Sequence, residues 1–349
     1  MNDELFVLWL AAVFTLVLSW GFRNLPQEKW QILAALPRSK DGNGGWIGQN
    51  FTFYGVFNAN AYVLGVAVFI VLMGSLSLPL IGILTVVAGL LAVCIPAASL
   101  VARAVEKKRY TFTVGGASFV GILISPWLVA GTNSVTDPST AIPVMPFLAA
   151  LSVGYAFGEG FGRLACISYG CCYGKPLSRC HSRIQKLFGK RSFVFLGATK
   201  KISYAGGLEG ERVIPIQAVT AVIYCGWGVI GVYLFLKGFY FAAFFTTLLV
   251  TQVWRTVSEF FRDDYRGGGK ISAYQIMGVL SIFYALLTAF FFPTRPVSPS
   301  ADIAIGLGYL WRPEIILSLQ VIWITVFLHT GRSRVTGSSL SFHVIQHRI

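Results

Sequence analysis

The chain returns repeatedly to uninterrupted apolar stretches of about 20 residues, the length of helix that crosses a bilayer's hydrocarbon core. No water is available there to satisfy backbone polar groups, so each such stretch must close its own hydrogen bonds as a helix. Spans are expected near 4–22, 53–74, 78–102, 111–130, 144–165, 214–236, 239–261, 273–292 and 313–330, nine in all. The fold class is therefore an all-α polytopic membrane protein with about nine transmembrane helices. A composition of 55% hydrophobic and 12% charged residues excludes an ordinary soluble domain. The first stretch follows Asn2, Asp3 and Glu4, with neither a basic n-region nor a small-residue cleavage site. It reads as a retained helix rather than a signal peptide.

The net charge of +14 lies mostly in the links. Arg23, Lys29, Arg38 and Lys40 occupy the first link, and Arg103, Lys107, Lys108 and Arg109 the third. Arg262, Arg266 and Lys270 follow the seventh span, and Arg332, Arg334 and Arg348 fill the tail. The alternate links carry no Lys or Arg at 75–78 and 131–143, and single residues at Lys237, Arg295 and Arg312. With nine spans, every basic link falls on one side. The positive-inside rule then places the N-terminus outside and the long 168–213 segment in the cytoplasm. That segment is rich in Gly, Lys and Arg and is expected to form a small irregular or β-containing head domain. The 23–50 link ends in DGNGGWIGQN, which favours turns over regular structure. No run interleaves bases with aromatics as on a soluble nucleic-acid-binding surface, so nucleic acid is not an expected partner. The membrane is.

Two pairs of ionisable residues sit where lipid disfavours charge: Glu159 with Arg163, and Arg255 with Glu259. Both have i, i+4 spacing, which places acid and base on one helix face. Arg262 continues the face of Arg255 and Glu259, whereas Asp263, Asp264 and Arg266 read as solvated loop charges. Arginine suits a phosphate because its planar fork binds two oxygens at once. The stretch 158–176 is also dense in glycine, consistent with a small-residue helix seam or close approach to a ligand. Gly115 and Gly116 open the fourth span, and Tyr54 stands near the start of the second, where an interfacial tyrosine is ordinary.

Six cysteines complete the inventory. Cys94 and Cys225 lie in apolar spans as small core residues. Cys166, Cys171, Cys172 and Cys180 cluster, with His181 adjacent, but neighbouring Cys171 and Cys172 form no C-x-x-C hook, so no metal site is assigned. A cation as near as Arg163 favours thiolate, which gives Cys166, Cys171 and Cys172 a possible covalent role.

Taken in order along the chain, these motifs resemble the prolipoprotein diacylglyceryl transferase family over about residues 54–292. The resemblance rests on Tyr54-Gly55, on Gly162-Arg163-Leu164-Ala165-Cys166-Ile167 followed by Gly170-Cys171-Cys172-Tyr173-Gly174, and on Pro215-Ile216-Gln217. It rests also on Arg255, Glu259, Phe260 and Arg262, then Ser272 and Gln275. It implies a seven-helix core over 53–292, including the 168–213 head, with an added helix at 1–22 and an added helix and basic tail at 313–349. It also implies a transferase in the bacterial cytoplasmic (inner) membrane, acting in lipoprotein biosynthesis. Such an enzyme moves diacylglyceryl from phosphatidylglycerol to a cysteine thiol and uses no cofactor. The catalytic set would be Arg163, Arg255, Glu259 and Glu159, with Tyr54, Gly115, Gly116, Gly174, Gln217 and Arg262 at the substrate.

The chain departs from the family pattern where the acceptor would sit. Val114 replaces the family's histidine before Gly115-Gly116, Cys166 replaces an asparagine, Val219-Thr220 replaces Tyr-Glu, and Thr251 replaces a tyrosine. With the histidine gone, Glu159 is the expected base. These changes point to a different acceptor. The readings from other classes are a non-catalytic lipid-binding or scaffold protein, and a lipid or anion transporter. Inversion of the core by the added first span would remove an exported prolipoprotein as acceptor and keep the cysteines reduced.

Overall fold

The computed structural model describes residues 2–42, 44–107, 114–264, 271–292 and 301–349. Lys108, Arg109, Thr111–Thr113, Arg266, Lys270 and Arg295 lie outside the described residues. Among those described, eight helices are long and apolar enough to cross a membrane. They are α1 (Asp3–Asn24), α2 (Phe53–Gly74), α3 (Leu80–Glu106), α4 (Val114–Val135), α5 (Val144–Tyr169), α8 (Ile216–Leu236), α10 (Ala273–Phe291) and α12 (Pro313–Thr330). Four short or less apolar helices complete the set: α6 (Ser182–Phe188), α7 (Lys201–Gly206), α9 (Tyr240–Ser258) and α11 (Ile303–Tyr309). The chain is an all-α polytopic membrane protein in its bulk. Threonines, Gln252 and Arg255 dilute the apolar character of α9, a 19-residue helix expected as a span.

At the centre, α5 packs on α2, α8 and α9. Its seam with α2 is made of small residues. A Cβ on Gly154 would lie 2.7 Å from the Gly65 carbonyl oxygen, and one on Gly65 would lie 2.9 Å from that of Gly154. Gly158 meets the Ala61 carbonyl one turn further along. Without side chains between them the two backbones pack directly, which lipid alone would not enforce. The glycines of this part of α5 therefore have a packing role.

Helix α1 is built into this bundle. Phe6, Leu10, Phe14 and Leu18 recur every four residues on one buried stripe. Phe14 stacks on Phe157 of α5 with ring centroids 4.8 Å apart. Asn2 caps the helix, accepting from the Glu4 amide, and Asp3 and Glu4 complement its N-terminal dipole.

The links differ from expectation. Instead of turns, the first forms β1 (Ile32–Lys40) and β2 (Trp46–Thr52), and the tail returns as β5 (Arg332–Leu340). These three make an antiparallel sheet in the order β1-β2-β5, with Gly48 opposite Ser338. The Thr52 hydroxyl and amide both donate to the Gly331 carbonyl, fixing the junction. Between α5 and α8 the chain forms α6, α7 and a small pair of strands, β3 (Phe193–Val194) and β4 (Arg212–Val213). Lys200 is fully buried there, donating to the Ser168 carbonyl at 2.6 Å and the Leu25 carbonyl at 3.2 Å. It thus ties this segment to the ends of α1 and α5. Burial pushes its ammonium down to about 8, with Glu28 opposing the shift.

Candidate active site

The end of α5 is shaped by a chain reversal. Gly170 takes the left-handed conformation (φ 71°), its amide donating to Ile167, while the Cys171 amide donates to the Cys166 carbonyl at 3.0 Å. This closure satisfies the last carbonyls of the helix and folds Cys171 and Cys172 back beside it. Tyr173, Gly174 and Lys175 then run against the chain that leaves α9. Gly174 bridges to Arg262, Lys175 donates to the Phe261 carbonyl, and Asp263 donates to that of Tyr173. A Cβ on Gly174 would strike the Ile214 backbone, so only glycine fits this crossing. The result sets the ends of α5 and α9 side by side.

Between them, α2, α3, α4, α8 and α10 enclose a cavity of about 490 Å³. One part is apolar, with Val66, Phe69, Val87, Leu90, Leu91 and Leu151. The other holds four cationic side chains (Arg163, Lys201, Arg255 and Arg262) and three carboxylates (Glu159, Glu259 and Asp264), leaving one positive charge. Of the residues expected at the site, Tyr54, Gly115, Glu159, Arg163, Gln217, Arg255, Glu259, Arg262, Cys166, Cys171 and Cys172 all line this cavity. Gly116 and Gly174 do not. Gly116 packs on Val101 of α3, and Gly174 serves the crossing described above.

Glu159 organises the charges. It pairs with Arg163 one turn along α5 and reaches Arg255 across the helix gap at 3.6 Å. Arg255 also donates to the Tyr155 hydroxyl at 2.5 Å. Its Nη1 lies 2.6 Å from where a Cβ on Gly115 would be, so that glycine leaves the guanidinium room. The α-helix stops at Ser258, and Glu259 begins a 3-10 turn, from which it meets Arg262 at 3.7 Å. Arg262 is gripped in a bidentate fork by Asp264 at 2.8 and 2.7 Å. Asp264 is thus part of the site, not the solvated loop charge its position suggested; Asp263 pairs at 3.9 Å with exposed Arg179.

Two donors are left over. The Nε atoms of Arg163 and Arg255 are buried and meet no acceptor among the described residues. A buried donor without a partner costs about 1–3 kcal/mol, so both guanidiniums are held here at an energetic cost. The Gln217 side chain donates to the Cys171 carbonyl at 2.9 Å and leaves its own oxygen unmatched.

Sequence reasoning missed Tyr155, Tyr224, Lys201 and Asp264. Tyr155 lies one turn before Glu159, a spacing that points it at the same site. Tyr224, which donates to the Thr251 carbonyl at 2.7 Å, and Lys201, which arrives from α7, carry no such signal. Ser272 and Gln275 form a capping box at the start of α10, and Gln275 also donates to the Thr256 carbonyl. Tyr54 packs edge-on against Tyr169 at the mouth of α5. No family model, curated protein or solved structure matches this chain.

Proposed function

We propose that the chain is a membrane-embedded transferase that moves diacylglyceryl from phosphatidylglycerol to an acceptor nucleophile, as in the prolipoprotein diacylglyceryl transferase family that its motifs resemble. The observation that carries this reading is the pairing, within one cavity, of an apolar slot with a polar end. That end has one surplus positive charge and the guanidiniums of Arg163, Arg255 and Arg262 in its lining. A phosphodiester lipid needs both parts: apolar room for acyl chains, and donors for a single negative charge.

In this reading Arg163 and Arg255 hold the phosphate through their Nη donors, while Glu159 holds the two guanidiniums near each other. The acceptor, a thiol in the family, attacks the glycerol carbon that bears the phosphate. A C–S bond forms, the C–O bond breaks, and its electron pair leaves with glycerol phosphate. The guanidiniums stabilise the charge gathering on the departing oxygen. The acceptor proton passes to a cavity carboxylate. Glu159, the base expected from sequence, already faces two arginines, which suits orientation first. Glu259 is a second carboxylate in the same wall, and the third, Asp264, is taken up by its fork with Arg262.

Incubation of the purified protein with phosphatidylglycerol and a thiol acceptor should release glycerol phosphate and a lipid thioether, both lost in Arg163→Ala. Bound phosphatidylglycerol without product would support the lipid-binding alternative instead, and flux into vesicles without product would support transport.

The proposed topology has nine crossings. In its favour, α8 starts and α9 ends beside the same segment, since Ile214 donates to Lys175 and Arg262 bridges Gly174. If α8 crosses, α9 must return. The basic links also gather: β1 and β2 pair with the tail strand β5, and Lys200 joins the end of α1 to the head. By the positive-inside rule this face is cytoplasmic and the N-terminus outside, in a bacterial inner membrane. On a cysteine-free background, a membrane-impermeant thiol reagent on intact cells should label Ser134→Cys and spare Ser192→Cys. The reverse pattern would invert the orientation.

A further inference from the structure

Three sulfur atoms converge at the polar end of the cavity, in an arrangement that lipid transfer does not need. The Sγ atoms of Cys166, Cys171 and Cys172 all lie within 4.8 Å of one another, and those of Cys166 and Cys172 are 3.9 Å apart. The spacing C-x4-C-C would spread these residues along a regular helix. Here the reversal at Gly170 brings the last two back beside the first, and Cys172 adopts a left-handed backbone (φ 55°), unusual for a residue with a Cβ. The Gln217 side chain holds the loop by its Cys171 carbonyl. The cluster is therefore fixed from both ends, with Cys171 buried.

We propose that Cys166, Cys171 and Cys172 bind one soft metal ion, copper(I), in three-coordinate thiolate geometry. A metal–thiolate bond of about 2.3 Å requires sulfurs roughly 4.0 Å apart around a trigonal ion, which the Cys166–Cys172 separation matches. The donor set is all sulfur, and soft thiolates select copper(I) over harder cations. Zinc in a structural site takes four ligands, and no fourth His, Cys, Asp or Glu joins this group among the described residues. Binding forms three Cu–S bonds and releases the three thiol protons to solvent. The ion enters already reduced, so no electron changes hands. Arg163 and Arg262 line the same wall and offset the negative charge of the complex. The inference shares Arg163 and one cavity with the lipid reading, but copper binding tests it without any lipid present.

The test is anaerobic titration of the detergent-solubilised full chain with copper(I), in competition with a chromophoric copper(I) chelator. One ion per chain should be retained, with X-ray absorption showing three sulfur neighbours at about 2.3 Å. Cys166→Ser, Cys171→Ser and Cys172→Ser should each weaken retention at least tenfold, while Cys94→Ser and Cys225→Ser leave it unchanged. Absence of sulfur neighbours around copper in the wild-type protein overturns the proposal without reference to any variant. So does retention of zinc in preference to copper, or closure of a disulfide with no metal bound.

Discussion

Helices α5 and α12 have nearly equal mean hydropathy, yet 67% of the most apolar stretch of α5 lies inside the protein, against 6% for α12. What separates them is where the non-apolar residues stand. Gly154 and Gly158 form a flat seam, and Glu159 and Arg163 follow on the helix that needs protein on every side. In α12 the exposed large apolar residues are Leu317, Val321, Ile324 and Leu328, which lipid serves as well as protein does. Mean hydropathy tells that a helix can cross the bilayer. The placement of glycine and charge tells whether it is central.

The comparison breaks most readily at the seam. Gly154→Leu would drive a side chain into the Gly65 backbone and should cost about 4 kcal/mol or abolish folding, read as thermal unfolding in detergent. Leu317→Ala on α12, 61% exposed, should stay within about 0.5 kcal/mol. Equal sensitivity at both sites would dismiss the contrast.

A buried charge outside the bilayer sharpens the point. Lys200 has an ordinary value of 10.5 in the unfolded chain and about 8 when folded. The unfolded state therefore binds more protons between these values, and stability should rise with pH across the window by roughly 3 kcal/mol. The penalty is fully present below pH 8. Lys200→Met should flatten this rise, as measured by chemical denaturation at pH 7.5, 9 and 10.5.

At the site itself, Arg163→Lys and Arg255→Lys keep the charge and lose the planar fork. Each should lower turnover of phosphatidylglycerol about 100-fold, close to 2.7 kcal/mol. Arg332→Lys, on the edge of the sheet, should leave it unchanged. Full turnover in both site variants would mean that charge alone suffices.

Much of this was legible in the chain. Eight of the nine expected spans are helices long and apolar enough to cross a membrane among the described residues, and the expected charged residues line one cavity, because a charge in lipid requires a reason that few positions supply. The sheet was not legible. Its strands β2 and β5 are some 280 residues apart, and RSRVTGSSL reads as a basic tail until Gln49 and Ser333 are brought together. The sulfur cluster was legible only in part: the cysteines crowd together in sequence, but the convergence of three sulfurs is made by the reversal at Gly170, which motif spacing does not encode. Asp264 looked solvated because only the end of α9 and the crossing at Gly174 enclose it with Arg262.

The central claim is that Arg163 and Arg255 bind the phosphate of an anionic phospholipid. Native mass spectrometry of the protein released from nanodiscs containing equal phosphatidylglycerol and phosphatidylcholine measures this directly. The wild-type chain should retain one phosphatidylglycerol in preference to phosphatidylcholine, and the Arg163→Ala, Arg255→Ala double variant, folded by its thermal transition, should lose that preference. Equal retention of the two lipids by the wild type, or an undiminished preference in the variant, would contradict it.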